Sequence, residues 1–274
     1  MSRVPLGSPL MAFARLSLYV GLTLPLMLVQ LIANQAKLPL RKTLPLWYHR
    51  QCCRILGIHV ERRGRQSRKR PTLYVSNHIS YLDITILGAL IPGSFVAKAE
   101  VRSWPYFGWL AKLQRTVFVE RRASRSGSTR DEITGRLAEG DNLILFPEGT
   151  SGDGNRVLPF KSALLSVAEH WGGGEPLAVQ PVSVAYTKLD GLPLGRHLRP
   201  FYAWYGDMDL LPHLWQLAGL GQLTVVVHFH PVVTLEQLGS RKVLSNHCHE
   251  QTGRGLAAAL AGRPLRQPRD PEPV

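Results

Sequence analysis

Residues 72–83 read TLYVSNHISYLD, an apolar run that passes into a polar corner. Leu73 to Ser76 is typical of a short buried strand, and Tyr81 to Leu90, just after the corner, is typical of a helix. A strand that leads directly into a helix is the repeating unit of an α/β layer fold. This stretch therefore predicts the fold class, and it places the polar side chains of His78 and Asp83 at a strand end.

The same alternation continues along the chain. Further buried strands are predicted at Ser94 to Ala97, Thr116 to Val119, Asn142 to Phe146, Leu177 to Val184 and Leu223 to Phe229. Helices are predicted at Pro105 to Leu113, Ser128 to Glu139 and Lys161 to His170. Strands and helices in alternation predict an α/β domain over residues 72–262, with a mixed, largely parallel central sheet flanked by helices.

A long apolar segment precedes this domain. Residues 16–36 carry no charge between Arg15 and Lys37, and the run is long enough to cross a bilayer once. Pro25 and the amide side chains of the second half also fit a kinked or re-entrant helix in one leaflet. We expect residues 1–40 to form a membrane-embedded helical anchor of one of these forms. The alternatives are a cleaved signal peptide, for which no small-residue cleavage site follows, and a buried helix of a soluble protein.

Positive charge dominates the composition. The 274 residues include 33 Lys and Arg against 19 Asp and Glu, a formal net charge of +14. The densest basic segment is 41–71, where ten cations are opposed only by Glu61: Arg41, Lys42, Arg50, Arg54, Arg62, Arg63, Arg65, Arg68, Lys69 and Arg70. Directly after an apolar anchor, such a segment is expected to contact anionic membrane head groups. A solvated linker is the alternative. Nucleic acid is not expected as a partner, because no helix-turn-helix, zinc-finger or RNP-type motif is present.

Composition also limits the class of protein. A hydrophobic content of 45% excludes disorder of the whole chain, and three cysteines are too few for a disulfide framework. A reducing compartment is therefore expected. The proline-rich tail, residues 263–274, is predicted to be disordered.

The corner at residues 77–83 has two interpretations. Ser80 followed by Asp83 is a capping-box pattern that begins a helix without any chemistry. That pattern leaves His78 unexplained. A histidine ahead of a helix N-terminus lies in a positive field that favours neutral imidazole, the form of a general base. The carboxylate of Asp83 can fold back to one ring nitrogen and fix the tautomer.

A second polar corner follows the predicted strand Asn142 to Phe146. Phe146-Pro147-Glu148-Gly149-Thr150 is, by itself, a turn. Its position matters more than its composition, because ligands of open α/β sheets bind beyond the carboxyl ends of the strands. Lys98 also lies near a strand end, where a lysine can bind an anionic head group or remain a solvated cation.

With these motifs in place, residues 72–184 resemble the glycerolipid acyltransferases of the lysophosphatidic acid acyltransferase type, the PlsC-like family. Asn77-His78 with Asp83 is similar to the family's Asn-His-x4-Asp block, and Phe146 to Thr150 to its third block. Residues 116–121 and Val179-Gln180-Pro181-Val182 resemble the second and fourth blocks. The resemblance implies that His78 and Asp83 are the catalytic pair. It also implies that Arg121 contacts the acceptor and that Glu148, Gly149 and Thr150 contribute to acceptor binding.

Two positions depart from the family pattern. The second block usually opens with glycine, where this chain has Arg115. The third block usually continues with Arg and then Ser, where this chain has Ser151 and Gly152. The absent arginine would ordinarily help to bind a phosphate, so the identity of the acceptor stays open.

The expected function is an O-acyltransferase that moves a fatty acyl chain from acyl-ACP or acyl-CoA to the free hydroxyl of a lysolipid. The preferred acceptor is 1-acylglycerol-3-phosphate, giving phosphatidic acid, with a lyso-ornithine lipid as the alternative. No metal or redox cofactor is expected. The expected location is the cytoplasmic face of the inner membrane. Rival functions are a non-catalytic basic lipid-binding protein and a hydrolase that uses the same pair on water.

Three other groups of side chains are candidates for a site. His228 and His230 alternate on a predicted strand, and His247, Cys248 and His249 are consecutive, but neither group has three or four ligands at a recognised spacing. We therefore expect no metal site. The aromatic cluster of Phe201, Tyr202, Trp204 and Tyr205 is typical of core packing, with the wall of an acyl channel as the alternative.

Overall fold

An eight-stranded sheet lies at the centre of the computed structural model, which describes residues 7–119, 126–172 and 174–265. The strands are β1 (Ile58–Gly64), β2 (Thr72–Ser76), β3 (Gly93–Lys98), β4 (Val117–Val119), β5 (Asn142–Leu145), β6 (Ala178–Leu189), β7 (Leu192–Pro193) and β8 (Leu223–Phe229). All six strands predicted from the sequence are present, with ends that differ by a few residues.

The sheet is mixed and largely parallel, as predicted. The strand order is β1-β8-β6-β2-β5-β3-β4, and the short β7 pairs with β6. β2 runs parallel to both β5 and β6, and β3 runs parallel to both β5 and β4. The antiparallel pairs are β6 with β8 and β6 with β7. Consequently β2, β3 and β5 all end at the same edge of the sheet.

Helices cover both faces of this sheet. They are α1 (Pro9–Gln35), α2 (Leu40–Ile55), α3 (Leu82–Gly88), α4 (Phe107–Leu113), α5 (Ser126–Ala138), α6 (Leu210–Ala218), α7 (Leu235–Leu238) and α8 (Arg241–Leu260). The α-helix predicted at 161–170 is wrong: residues Ser162–Ala168 form 3-10 turns. Leu165 and Ala168 are both buried there, and their separation of three residues fits the tighter 3-10 repeat.

The core lies on both faces of β2. All five of its residues are buried: Tyr74 belongs to the hydrophobic cluster beneath α3, whereas Leu73 and Val75 belong to a cluster that includes Leu244 of α8. A strand buried on both faces has no polar side, which explains why its sequence reads as one apolar run.

Helix α1 runs without a break through Pro25 and exposes much apolar surface. Among the described residues it is the one helix long and apolar enough to cross a membrane, and 17% of its most apolar window is buried. Its polar atoms attach it to the domain: Arg15 donates to the carbonyl oxygens of Ala218 and Leu220, and Asn34 donates to the carbonyl of Leu113 at 2.8 Å. Helix α1 is therefore joined to the domain along one side and bare on another.

The basic segment 41–71 contains structure that the sequence analysis did not anticipate. It includes most of α2 and all of β1, an edge strand paired in parallel with β8. Some of its cations have partners within the protein, since Lys42 pairs with Asp141 at 2.8 Å and Arg50 donates to the carbonyl of Ala89. The proposed membrane contact of this segment stays a prediction, as does disorder of the tail, where residues 266–274 lie outside the described part.

Candidate active site

Three strand ends place the predicted site residues together. β2 leads into His78, β3 ends at Lys98, and β5 leads into the turn 146–150. The register aligns Val75 with Leu145, and Leu145 with Val96, so these chains leave the sheet at one level. The largely parallel topology is what brings the two polar corners within reach of each other.

His78 and Asp83 form a hydrogen-bonded pair, with 2.8 Å between His78 Nδ1 and Asp83 Oδ2. The His78 side chain is 21% exposed, whereas that of Asp83 is fully buried. A carboxylate accepts but cannot donate, so Nδ1 carries the proton and Nε2 keeps its lone pair. The ring also stacks on Phe146, with centroids 4.2 Å apart. The tautomer and the plane of the ring are therefore both fixed.

Asp83 serves the helix and the histidine at once. Oδ2 also accepts hydrogen bonds from the backbone N–H groups of Ile79, at 2.6 Å, and Ser80, at 3.0 Å. The bond from Ser80 is half of the capping box that the sequence suggested. The two interpretations of this corner are thus compatible, because one oxygen accepts from the helix N-terminus and from the imidazole.

Tyr186 is a member of this network that sequence reasoning missed. Its hydroxyl donates to Asp83 Oδ1 at 2.8 Å, and both side chains are buried. Tyr186 lies on β6, 103 positions further along the chain. No local pattern marks it, since it occupies an ordinary inward position of a buried strand.

Asn77 explains the first residue of the motif. Its amide nitrogen donates to the carbonyl of Val184 at 3.0 Å, and its side-chain oxygen accepts from the Val184 N–H at 2.8 Å. The side chain thus extends the pairing of β2 with β6 past the end of the strand. This contact fixes the corner that carries His78.

Glu148 ties the two polar corners together. Its carboxyl oxygens accept from the backbone N–H groups of His78, at 2.7 Å, and Leu158, at 2.9 Å. Burial raises the pKa of Glu148 to about 8, and the two N–H groups oppose that shift. Because both oxygens are engaged with backbone, we infer that Glu148 holds the corner of His78 in place. Contact of this side chain with an acceptor stays a prediction.

A largely apolar cavity of about 440 Å³ opens beside His78. Its walls come from α1, α2, α3 and α4, and from the strand ends. His78, Lys98, Gly149 and Thr150 all line it, as do Ser151 and Trp204. Arg121, the remaining predicted site residue, lies outside the described residues. The arrangement places the pair of His78 and Asp83 and the side chain of Lys98 at one largely apolar cavity.

Gly149 has a backbone reason to be glycine. Its φ of 68° lies in the left-handed region, and a Cβ there would crowd the amine of Lys161. This close approach places the ammonium group of Lys161, a second one besides that of Lys98, against the turn that contains Glu148. Sequence reasoning did not single out Lys161, because nothing in its local pattern distinguishes it from a solvated lysine.

The two departures from the family pattern have different structural consequences. Arg115 has a φ of 61°, a conformation that glycine adopts freely. Its guanidinium contacts Glu139 and Asp141, each at 3.1 Å, away from the cavity. Ser151 instead lines the cavity, and its hydroxyl donates to the carbonyl oxygen of Trp204.

His230, one of the other candidate ligands, packs against α8. His230 Nε2 lies 2.6 Å from Ser183 Oγ beneath that helix, where a Cβ at Gly255 would collide with both side chains. Among the residues that the structure describes, no three His, Cys, Asp or Glu side chains gather where a metal could bind.

Comparison with known proteins agrees with this geometry. Residues 57–185 match the family model described as Acyltransferase. A lyso-ornithine lipid O-acyltransferase from Brucella abortus is 42% identical over 252 residues, which cover 90% of this chain and 94% of that protein. The chain belongs to the acyltransferase family. A 1-acyl-sn-glycerol-3-phosphate acyltransferase from Neisseria gonorrhoeae is 33% identical, over 71% of this acyltransferase and 72% of its relative.

The fold of this acyltransferase also has a crystallographic counterpart. The crystal structure of PlsC, the 1-acyl-sn-glycerophosphate acyltransferase from Thermotoga maritima, superposes with a TM-score of 0.68. The match covers 94% of this chain and 96% of that one at 23% identity, so it supports the fold alone. The predicted family and the predicted fold class are both confirmed.

Proposed function

We propose that this acyltransferase transfers a fatty acyl chain to the hydroxyl of a lyso-ornithine lipid or a closely similar lyso-aminolipid. The observation that supports acyl transfer is the hydrogen-bonded pair of His78 and Asp83 at the wall of the apolar cavity. The acceptor is supported by the relative from Brucella abortus, and by Ser151 at the position where a phosphate-binding arginine is usual.

In the proposed reaction, His78 Nε2 accepts the proton of the acceptor hydroxyl. The hydroxyl oxygen attacks the thioester carbonyl carbon, a C–O bond forms and the C–S bond breaks. The thiolate leaves and takes the proton back from the imidazolium, so His78 returns to its starting state. General-base catalysis of this kind contributes about 10²- to 10⁴-fold in rate. Asp83 keeps Nε2 unprotonated at the start and stabilises the imidazolium in between.

The substrates fit the chamber by their chemistry. Fatty acyl chains need an apolar cavity, and Lys98 provides a cation for an anionic head group or donor. We propose acyl-ACP or acyl-CoA as the donor, with no resident cofactor. The apolar outer side of α1 and the basic residues after it favour attachment of the enzyme to the cytoplasmic face of the inner membrane.

A second acceptor, 1-acylglycerol-3-phosphate, is favoured by the relative from Neisseria gonorrhoeae and by the cationic side chain of Lys98. Its phosphate would have to bind without the arginine that Ser151 replaces. Each charge-assisted bond lost in this way costs about 1.5–3 kcal/mol. We therefore rank this acceptor below the aminolipid.

Purified protein in mixed micelles, with a labelled acyl donor, tests the proposal. Each acceptor is supplied in turn, and diacylated lipid and free fatty acid are quantified together. We expect diacylated aminolipid as the main product, and loss of at least 99% of it in His78→Ala. His197→Ala, at an exposed histidine, is the matched control and should keep full activity. Free fatty acid as the main product would mean a hydrolase, and no turnover by the wild type would mean a binding protein.

A further inference from the structure

Position 151, where the family usually has an arginine, is a serine in this chain, and Ser151 forms a hydrogen bond to an aromatic residue of the site. Its hydroxyl donates to the carbonyl oxygen of Trp204, while the Trp204 backbone N–H donates to the carbonyl of Ile79 at 3.0 Å. Trp204 is therefore bound to both polar corners, the one after β2 and the one after β5. The exchange of arginine for serine does more than remove a charge, because it binds the backbone of Trp204, whose side chain lines the same cavity as His78.

Two further aromatic rings surround that indole. Trp104 lies with its ring centroid 5.7 Å from that of Trp204 at an interplanar angle of 82°, and Tyr81 lies at 6.0 Å and 65°. All three residues line the cavity that contains His78 and Ser151. Rings at such angles present π surface in different directions around one volume.

The polar atoms of two of these rings, Trp204 and Tyr81, are already engaged in hydrogen bonds. Trp204 Nε1 donates to the carbonyl of Met208 at 2.8 Å, and the Tyr81 hydroxyl lies 3.0 Å from His213 Nδ1. These bonds hold the rings in position. Because the hydrogen-bonding atoms of Trp204 and Tyr81 are engaged, these two rings offer a ligand their aromatic surfaces.

The described residues that line the cavity carry charge of one sign. Among its described lining residues, Lys98 is the one lysine or arginine, and no aspartate or glutamate is present. An amino-acid head group brings a carboxylate and an ammonium. Lys98 suits the carboxylate, whereas no described residue of this wall offers a carboxylate to the ammonium. Attraction to aromatic faces, strongest for tryptophan, is an interaction that the rings of this wall can supply to it.

We propose that Trp204, Trp104 and Tyr81 form a subsite that binds the ammonium group of the acceptor, and that Ser151 is the positioning residue for Trp204. This inference rests on the proposed function, because it needs an acceptor that carries an amine. It explains how a chain without the phosphate-binding arginine gains selectivity for a different head group.

The test compares a lyso-ornithine lipid with the same lipid acetylated on its side-chain amine, which removes the positive charge. We expect the wild type to prefer the charged acceptor by about tenfold in kcat/KM. Trp204→Leu should lower kcat/KM for the charged acceptor by about 5- to 30-fold and leave the acetylated one within about threefold, so the preference disappears. Trp104→Leu should act in the same direction, and Trp204→Phe should lie between.

One control, at Trp109, separates recognition from damage to the fold, and a variant of Ser151 tests its positioning role. Trp109→Leu removes an exposed indole of α4 that contacts Lys112 outside the cavity, and it should leave the preference unchanged. Ser151→Ala should raise KM for the charged acceptor without changing that for the acetylated one. A fall in both rates together in Trp204→Leu, with the preference intact, would show a structural role for Trp204 and overturn the subsite.

Acceptor use by the wild type distinguishes failure of this inference from failure of the proposed function. Equal use of the charged and acetylated lipids by the wild type overturns the aromatic subsite and leaves the aminolipid acceptor standing. Transfer to 1-acylglycerol-3-phosphate with none to either aminolipid overturns both.

Discussion

Replacing Asp83 with asparagine removes the charge beside His78 while keeping the shape of the site. Oδ2 accepts three hydrogen bonds, from His78 Nδ1 and from the N–H groups of Ile79 and Ser80, so the asparagine oxygen is held there. Its NH2 group then takes the place of Oδ1, where the Tyr186 hydroxyl can turn from donor to acceptor. We therefore expect Asp83→Asn to fold normally, with His78 in the same tautomer.

The lost charge sets the size of the effect. When His78 takes a proton, its imidazolium lies 2.8 Å from the carboxylate. Two unit charges at that separation attract by about 6 kcal/mol at an effective dielectric constant of about 20. Because the His78 side chain is 21% exposed, solvent screens part of this energy. We expect ~3–4 kcal/mol to remain, a fall in kcat of about 10²- to 10³-fold.

The assay is single-turnover acyl transfer at saturating acceptor, with thermal unfolding of each variant in parallel. Tyr186→Phe is the matched control, because it removes the bond to Oδ1 and leaves the charge. It should unfold more easily, by about 1.5–3 kcal/mol, and keep kcat within about tenfold. If Asp83→Asn melts like the wild type and still keeps more than a tenth of its kcat, the carboxylate does not stabilise an imidazolium and the reasoning fails.

Three further predictions follow from other parts of the structure. The double variant Leu24→Glu, Leu28→Glu places two carboxylates on the exposed apolar side of α1. It should release the protein from vesicles in a flotation assay. Recovery of the wild-type protein in the soluble fraction without detergent would contradict the membrane anchor. Burial raises the pKa of Glu148 to about 8, so the folded state keeps a proton that the unfolded chain loses near about pH 4.3. The free energy of unfolding, measured by denaturant titration, should therefore decrease as pH rises from about 4 to about 8. Glu148→Gln should make this decrease shallower. An equally steep decrease in the variant would show that another group causes the pH dependence. Ser151→Arg should raise kcat/KM for 1-acylglycerol-3-phosphate itself, whereas Ser151→Ala should leave that value unchanged. An unchanged kcat/KM for this acceptor in the arginine variant would mean that position 151 does not face the head group.

The elements that sequence reasoning missed share a physical cause. Helix α8 carries Gly253 and Gly255 and shows no apolar stripe, yet Gly255 is what lets the helix approach Ser183 and His230 closely. Strand β1 lies among arginines at the edge of the sheet, where only one neighbour pairs with it. Periodicity detects elements whose buried face is apolar, but the buried face of α8 includes Ser245, Thr252 and Gly255, and β1 buries little of its length.

The sequence by itself determined the local chemistry of this acyltransferase. The apolar strand, the corner and the helix of residues 72–83 are encoded within a few positions, because burial and capping act between near neighbours. The pairing of His78 with Asp83 follows from that corner, since five residues are enough to fold the carboxylate back to the ring.

Only the tertiary structure decided how that chemistry is held and what surrounds it. Tyr186 reaches Asp83 from 103 positions away, Glu148 reaches His78 from 70, and Trp204 meets Ser151 from 53. Those contacts depend on strand order and register, which no local pattern encodes. The pair of His78 and Asp83 was readable from the sequence because its members are close along the chain, whereas the aromatic wall of the cavity was not, because its residues come together only when the sheet is assembled.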